Sequence, residues 1–331
     1  MTFVANLRPL LPGLAVAVVV AMASMFVGEH YGGPVMLFAL LIGIAFHFLY
    51  EEGPCRAGID VAGRQVLKIG VALLGVRITF EEIFALGWSP IIMVASAVAA
   101  TICFGVILSS ALGLGRRFGV LTGGAVAICG ASAALALASV LPKDKDSERF
   151  TLFTVIGVTT LSTVAMVLYP VLTGLMDFDH RDAGVFLGGT IHDVAQVVGA
   201  GYSVSLETGD VATFTKMLRV AMLLPVVLLV AFLFGQASRG MQAAQGPAGV
   251  PLFLIGFAVM VVISSLGLLP GPVKAGIEEL SRWCLVTAIA ALGMKTSLKA
   301  MAQVGGKAIG LIIAQTVFLA LIVLGVIIFL D

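Results

Sequence analysis

The chain has 331 residues, a net charge of +1, and 60% hydrophobic against only 11% charged residues. Soluble domains are about a quarter charged, so this composition, with a mean hydropathy of +1.13, excludes a water-soluble fold and makes lipid the solvent. The balanced charge gives no basis for nucleic-acid binding, and the four cysteines, without CxxC or metal spacing, read as buried apolar thiols.

A spanning helix takes about 20 apolar residues. Arg8 followed by "LLPGLAVAVVVAMASM" has the look of a signal peptide, but the run is long and more spans follow. Residues 10–28 are therefore read as a first membrane helix. Further spans are expected at 34–50, 62–79, 88–112, 150–175, 211–235, 250–269, 277–294 and 306–330. Two other apolar segments, 119–141 and 183–205, are rich in Gly and small residues. The expected fold is an all-α polytopic membrane protein with about 9–11 transmembrane segments.

Residues 53–87 align without gaps on 271–305. The matched pairs include Asp60/Glu278, Arg64/Arg282, Arg77/Lys295 and Gly87/Gly305. Segments 119–134 and 184–199 also share the pattern G-V-x-x-G-G-x-[VI]. The chain reads as one domain over 1–331, with repeat-related halves 10–112 and 211–330 flanking a Gly-rich core, 119–205.

Orientation follows from Lys and Arg. With the N-terminus inside and both Gly-rich segments dipping in and returning, the inside holds Arg56, Arg64, Arg116, Arg117, Lys143, Lys145, Arg149, Arg239, Lys295, Lys299 and Lys307. The outside holds Arg77, Arg181, Lys216, Arg219 and Lys274. An odd number of spans separates the matched halves whether the Gly-rich segments dip or span, so the repeats are inverted. Inverted repeats with Gly-interrupted segments point to a secondary transporter.

Asp193 is the carboxylate deep within an apolar segment, far from any charged loop. Such a position costs about 2.5–3.5 kcal/mol on insertion scales. His192 beside it is the side-chain type that titrates nearest neutrality. The pair suits proton exchange or substrate binding at a broken helix, or simply caps a local helix end. Gly188-Gly189 bracket it on one side, and Gly123-Gly124 and Gly130 frame "AICGAS". Glycine permits unwinding, and half-helix N-termini attract anions. Cys129, Ser132, Thr190, His192, Asp193 and Gln196 are thus candidate site walls, with close helix packing as the competing reading.

Thr159 and Thr160, with Ser162 and Thr163, stack hydroxyls on the intervening helix, toward substrate or toward their own backbone. Arg77 and Lys295 end matched helices, as anion attractors at two mouths or as snorkelling anchors. Asp60 with Arg64, and Glu278 with Arg282, have i,i+4 spacing for pairing. His47, Ser264 and Ser265 read as packing or edge residues. No cofactor and no metal site are expected.

The motifs "GGAVAICGASAALALASVL" and "GGTIHDVAQVVGAG", the link "PKDKDSERFTLFTVIGVTTLSTVAMVLYP" and "ALGMKTSL" resemble the YeiH family of bacterial inner-membrane proteins. That family is described as sulfate exporters and grouped with the bile acid, arsenite and riboflavin transporters and the sodium/proton antiporter-like folds. The resemblance covers nearly the whole chain. It implies a scaffold bundle and a mobile core holding broken helices. The sequence lacks the adjacent intramembrane aspartates of the antiporters, so a double-Asp sodium site is not implied.

The expected function is secondary active export of a small anion, such as sulfate, an organosulfonate or a carboxylate, by alternating access. Protons would couple through Asp193 and His192. A sodium-coupled symporter of the same fold stays open, with a channel or a membrane-embedded enzyme more remote; one His-Asp pair offers too few groups for an enzyme site. Expected partners are the bilayer, a small anionic substrate, a coupling proton or sodium, and in one reading a second copy as a homodimer. The expected location is the bacterial inner membrane, N-terminus cytoplasmic and C-terminus periplasmic.

Overall fold

The computed structural model describes residues 8–31, 34–81, 84, 88–142, 147–234, 252–296 and 306–330. Among them there is helix and connecting turn but no strand. Lys143, Lys145, Arg239 and Lys299 of the charge count, and the Gly87/Gly305 pair, lie outside the described residues.

In chain order the helices are α1 (Leu11–Tyr31), α2 (Val35–Ala45), α3 (Arg56–Val61) and α4 (Leu67–Leu74), the last two joined by a π-helical turn, Ala62–Val66. Then come α5 (Ser89–Ala111), α6 (Arg116–Ala127), α7 (Ala131–Val140), α8 (Ser147–Leu175), α9 (His180–Thr190) and α10 (Val194–Val204). The last are α11 (Leu206–Ala221), α12 (Leu223–Leu233), α13 (Leu252–Ser265), α14 (Gly271–Lys295) and α15 (Gly306–Leu330).

Among the described residues, five stretches are long and apolar enough to cross a bilayer: Leu11–Tyr31, Pro90–Ala111, Arg149–Leu175, Leu206–Leu233 and Gly306–Phe329. The protein is therefore an all-α polytopic membrane protein. Two expected spans are shorter as helices. Within 34–50 the helix Val35–Ala45 gives way to a turn at Phe46 and His47, and His47 Nδ1 lies 2.6 Å from the Met294 carbonyl. Within 250–269 the helix is Leu252–Ser265.

The chain divides into two compact units, each assembled from three separate stretches of the sequence. The first holds residues 1–85, 198–210 and 252–298. Its helices approach closely through glycine. A Cβ on Gly43 would stand 2.3 Å from the Ala290 carbonyl, and one on Gly293 would stand 2.3 Å from that of Leu40, so α2 and α14 meet backbone to backbone. The α3–α4 run lies antiparallel to α14. Asp60 near its start meets Lys295 at the end of α14, and Ser281 Oγ donates to the Gly70 carbonyl at 2.7 Å.

The second unit holds residues 86–197, 211–251 and 299–331. It contains α5 to α9, the first residues of α10, α11 from Val211 onward, α12 and α15. Phe118 packs against Phe150 with ring centroids 4.5 Å apart, and Gln315 Nε2 donates to Thr122 Oγ1 at 2.9 Å.

Candidate functional site: two helix breaks held by buried cations

Both Gly-rich segments are interrupted helices. In the first, α6 ends at Ala127 and α7 begins at Ala131. In the second, α9 ends at Thr190 and α10 begins at Val194. The first break is a sharp reversal. Leu137 Cδ1 stands 2.2 Å from where a Cβ on Gly124 would be. In a straight helix those positions would be about 20 Å apart, so α7 folds back along α6. Gly130 makes the reversal possible, with φ 63° and ψ −123°. It also joins the two breaks: a Cβ there would lie 3.6 Å from His192 Cβ.

The glycine pairs expected to unwind do not stand at the breaks. Gly123, Gly124, Gly188 and Gly189 are helical and buried. They serve close packing instead. A Cβ on Gly123 would meet Ile102 Cα at 2.9 Å, one on Gly188 the Ala212 carbonyl at 2.3 Å, and one on Gly189 the Val323 side chain at 3.1 Å.

A broken helix leaves its last carbonyls without partners, and burial makes that costly. Two residues of α11 answer this need. Lys216 Nζ donates to the carbonyls of Ile128 (2.7 Å) and Ile191 (2.9 Å). Arg219 donates from Nε to Ala127 (2.7 Å), from Nη1 to Gly188 (3.1 Å) and Ile191 (2.9 Å), and from Nη2 to Val126 (2.7 Å). Lys216 is 0% and Arg219 1% exposed. The charge pattern counts both cations among the outside loops, whereas they lie buried within α11. They had also fallen inside the expected span 211–235, and a charge inside a span is the signal that marks a functional site.

Two helix C-termini contribute about half a negative charge each, Asp193 lies within electrostatic reach of Lys216, and the two cations oppose them.

Asp193 Oδ1 accepts the Ala195 N–H at 2.9 Å, so the carboxylate caps α10. The Asp193 N–H donates to Ser162 Oγ at 2.9 Å. His192 is fully buried, its Nε2 3.0 Å from Thr316 Oγ1. Thr316 Oγ1 donates to the Ile312 carbonyl, so it accepts from His192 Nε2–H. Gln196 Nε2 donates to Thr163 Oγ1 at 2.8 Å, while its Oε1 is buried and has no hydrogen-bond partner among the described residues. The Thr190 hydroxyl bonds its own helix at the Phe186 carbonyl. Cys129 is buried in the first break, and Ser132 is exposed in the first turn of α7.

The hydroxyls of α8 that reach the second break are Ser162 and Thr163. Thr159 is exposed and bonds the Val155 carbonyl, and Thr160 is half-buried. Thr159 stands one turn before Ser162 and Thr163 on the same side of α8, so what separates it from them is height along the helix, not helical face. Among the cysteines, Cys55 and Cys129 are buried as expected, whereas Cys103 is exposed and Cys284 half-buried.

Arg77 and Lys295 lie in the first unit, each in an ion pair beside a tyrosine. Arg77 Nε is 3.1 Å from Asp210 Oδ1, its guanidinium lies 5.4 Å from the Tyr202 ring centre, and the Tyr202 hydroxyl donates to Asp210. Lys295 Nζ is 2.6 Å from Asp60 Oδ1 and 5.7 Å from the Tyr50 ring centre. The i,i+4 partners were wrong in part: Arg282 is bridged to Glu29 (3.3 Å) and Glu279 (3.9 Å). Ser264 and Ser265 bond backbone, as expected of packing residues. No group of three or more His, Cys, Asp or Glu fit to hold a metal occurs among the described residues.

Fold and site together define a polytopic helical membrane protein built around two discontinuous helices. The chain belongs to the UPF0324 membrane protein family. The family described as "Conserved hypothetical protein 698" matches residues 12–312. A UPF0324 membrane protein of Chlorobaculum tepidum is 55% identical over 321 residues, covering 97% of this chain and 90% of that protein. The UPF0324 membrane protein TauZ of Paracoccus denitrificans is 54% identical over 316 residues, covering 94% and 93%. Another from Rhizobium meliloti is 50% identical over 314 residues, covering 95% and 91%.

Proposed function

We propose that the protein is a secondary active transporter of a small anion, such as sulfate, an organosulfonate or a carboxylate, working outward by alternating access. The observation that carries this reading is the meeting of two helix breaks at Gly130 and His192. Irregular backbone at membrane depth persists where it is buried in protein or lines a cavity, and discontinuous helices are the usual substrate sites of secondary transporters. The C-terminal ends of α6 and α9 are already matched to Lys216 and Arg219. The α7 N-terminus has no side-chain cap, and such an end favours an anion. Asp193 and His192 supply the exchangeable proton in this reading.

Two further features favour it. The antiparallel packing of α3–α4 on α14, with Asp60 against Lys295 and Arg77 within electrostatic reach of Glu278, is what a two-fold relation between 53–87 and 271–305 requires. Moving Lys216 and Arg219 off the outside count also widens the positive-inside bias. That bias supports a cytoplasmic N-terminus and a periplasmic C-terminus in a bacterial inner membrane.

The test is flux of labelled sulfate and of a small organosulfonate in proteoliposomes under an imposed pH gradient. Gradient-driven flux that becomes pH-insensitive in Asp193→Asn is the expected result. Unchanged pH dependence in that variant removes the proton role, and absence of flux for every anion tried removes the transport reading.

A further inference from the structure

We propose that the Lys216 ammonium is a tethered monovalent cation: it fills a carbonyl-lined cation site created by the two helix breaks, and truncating it leaves a site for free potassium, ammonium or sodium. The six hydrogen bonds of Lys216 and Arg219 all run to main-chain carbonyls. Those carbonyls belong to the last residues of α6 and α9 and the positions just beyond, where helical N–H partners are missing. Converging carbonyl oxygens at the negative ends of two helix dipoles form a cation site of the kind that replaces an ion's hydration shell.

The two side chains divide that site differently. Arg219 is a planar fork that fixes four carbonyls in direction. Lys216 is a compact point charge that takes one carbonyl from each break, Ile128 and Ile191. It thus occupies the position a bound ion would take in bridging them. A bare cation has no place there while the ammonium is present. The inference goes beyond the transport reading and holds whatever the protein carries.

The test uses thermal unfolding of the purified full-length chain in detergent, in choline, sodium, potassium and ammonium chloride at equal ionic strength. The wild-type midpoint is expected to agree in all four salts. Lys216→Ala is expected to unfold lower in choline and to recover, in a concentration-dependent way, in potassium and ammonium, whose ions match the lost group in size and charge. Lys216→Met, which removes the charge but keeps the volume, is expected to be low in every salt. Three results overturn the proposal: a wild type stabilised by sodium or potassium over choline, a Lys216→Ala indifferent to cation, or a Lys216→Met rescued as well as Lys216→Ala. The wild-type comparison needs no variant to fold. No flux enters the readout, so its failure and that of the transport reading are separable.

Discussion

Lys216 and Arg219 donate to the same oxygen, the Ile191 carbonyl, each at 2.9 Å. They stand three residues apart on α11, which puts them on one face. Through that shared acceptor a single helix holds the ends of both breaks. Arg219 makes four of the six bonds, and its replacement is the more damaging. Arg219→Ala leaves Val126, Ala127 and Gly188 without this donor. At about 1–3 kcal/mol for each buried group left unpaired, the expected loss is several kcal/mol. Arg219→Lys is expected to recover only a minor part, because an ammonium cannot reproduce the fork. Thermal midpoints in the order wild type, Arg219→Lys, Arg219→Ala check this; a lysine variant equal to wild type contradicts it.

The Asp193 carboxylate has two separable roles. Its Oδ1 caps α10 at the Ala195 N–H, and its charge lies within electrostatic reach of Lys216. Asn keeps the capping oxygen and loses the charge; Ala loses both. Replacing an N-cap by Ala costs about 1 kcal/mol. Asp193→Asn is therefore expected to stay nearer wild type in cap-dependent stability than Asp193→Ala, while both lose pH-dependent flux. Measured midpoints and flux profiles for the two variants separate the roles, and equal destabilisation by both would assign the stability effect to charge rather than cap.

What could be read from the sequence divides along physical lines. Composition fixed the solvent, and turn-rich glycine in an apolar run located both interrupted segments. The breaks fall inside the stretches the glycines bracket, at 128–130 within "AICGAS" and at 191–193 on the His192-Asp193 pair, but the flanking glycine pairs are not what unwinds. Gly123-Gly124 and Gly188-Gly189 looked like the weak points, yet their lack of a side chain serves helix contact, at Ile102 and Ala212, while unwinding falls at 128–130 and 191–193. A sequence shows that glycine is present but not which of its two uses applies. Which of the four hydroxyls of "TTLST" lies level with the break was equally hidden: all four were candidates, and Ser162 and Thr163 make the bonds. Lys216 and Arg219 were legible and misjudged: each sat within an expected span and was counted as a loop charge. Asp60 and Asp210, the partners of Lys295 and Arg77, come from distant parts of the chain, which no local spacing reveals.

Those two ion pairs give a further expectation. Both are partly buried, with side-chain exposures of 23% and 25% for Arg77 and Asp210 and 19% and 32% for Lys295 and Asp60. Partial exposure screens them, so a coupling energy of about 1 kcal/mol is expected for each pair. A double-mutant cycle on Arg77→Gln with Asp210→Asn, and one on Lys295→Gln with Asp60→Asn, measures it. Coupling near zero in both cycles would show that the pairs are screened contacts without structural weight.

Gly130 tests whether the reversal itself matters. Its φ of 63° and ψ of −123° lie outside the regions open to residues with a side chain. Space is not the obstacle, since a Cβ there would meet its neighbours at ordinary contact, 3.6 Å from His192 Cβ and 3.7 Å from the His192 carbonyl. The cost of Gly130→Ala is therefore backbone strain, about 1–3 kcal/mol. Asn relieves ordinary left-handed positions, but the ψ here is far from the left-handed helical value near +47°, so Gly130→Asn is expected to be no better than Ala. Gly123→Ala makes the contrasting case: its backbone is helical and its cost is collision with Ile102 Cα at 2.9 Å. Both glycine variants are expected to lower the unfolding midpoint. Neither cost is expected to yield to a shortened neighbour: Ile102→Ala leaves the colliding Cα in place, and Val158→Ala, beside Gly130, cannot relieve strain that resides in the dihedrals. A Gly130→Ala protein as stable as wild type would mean that the chain reverses with a different backbone geometry at this point.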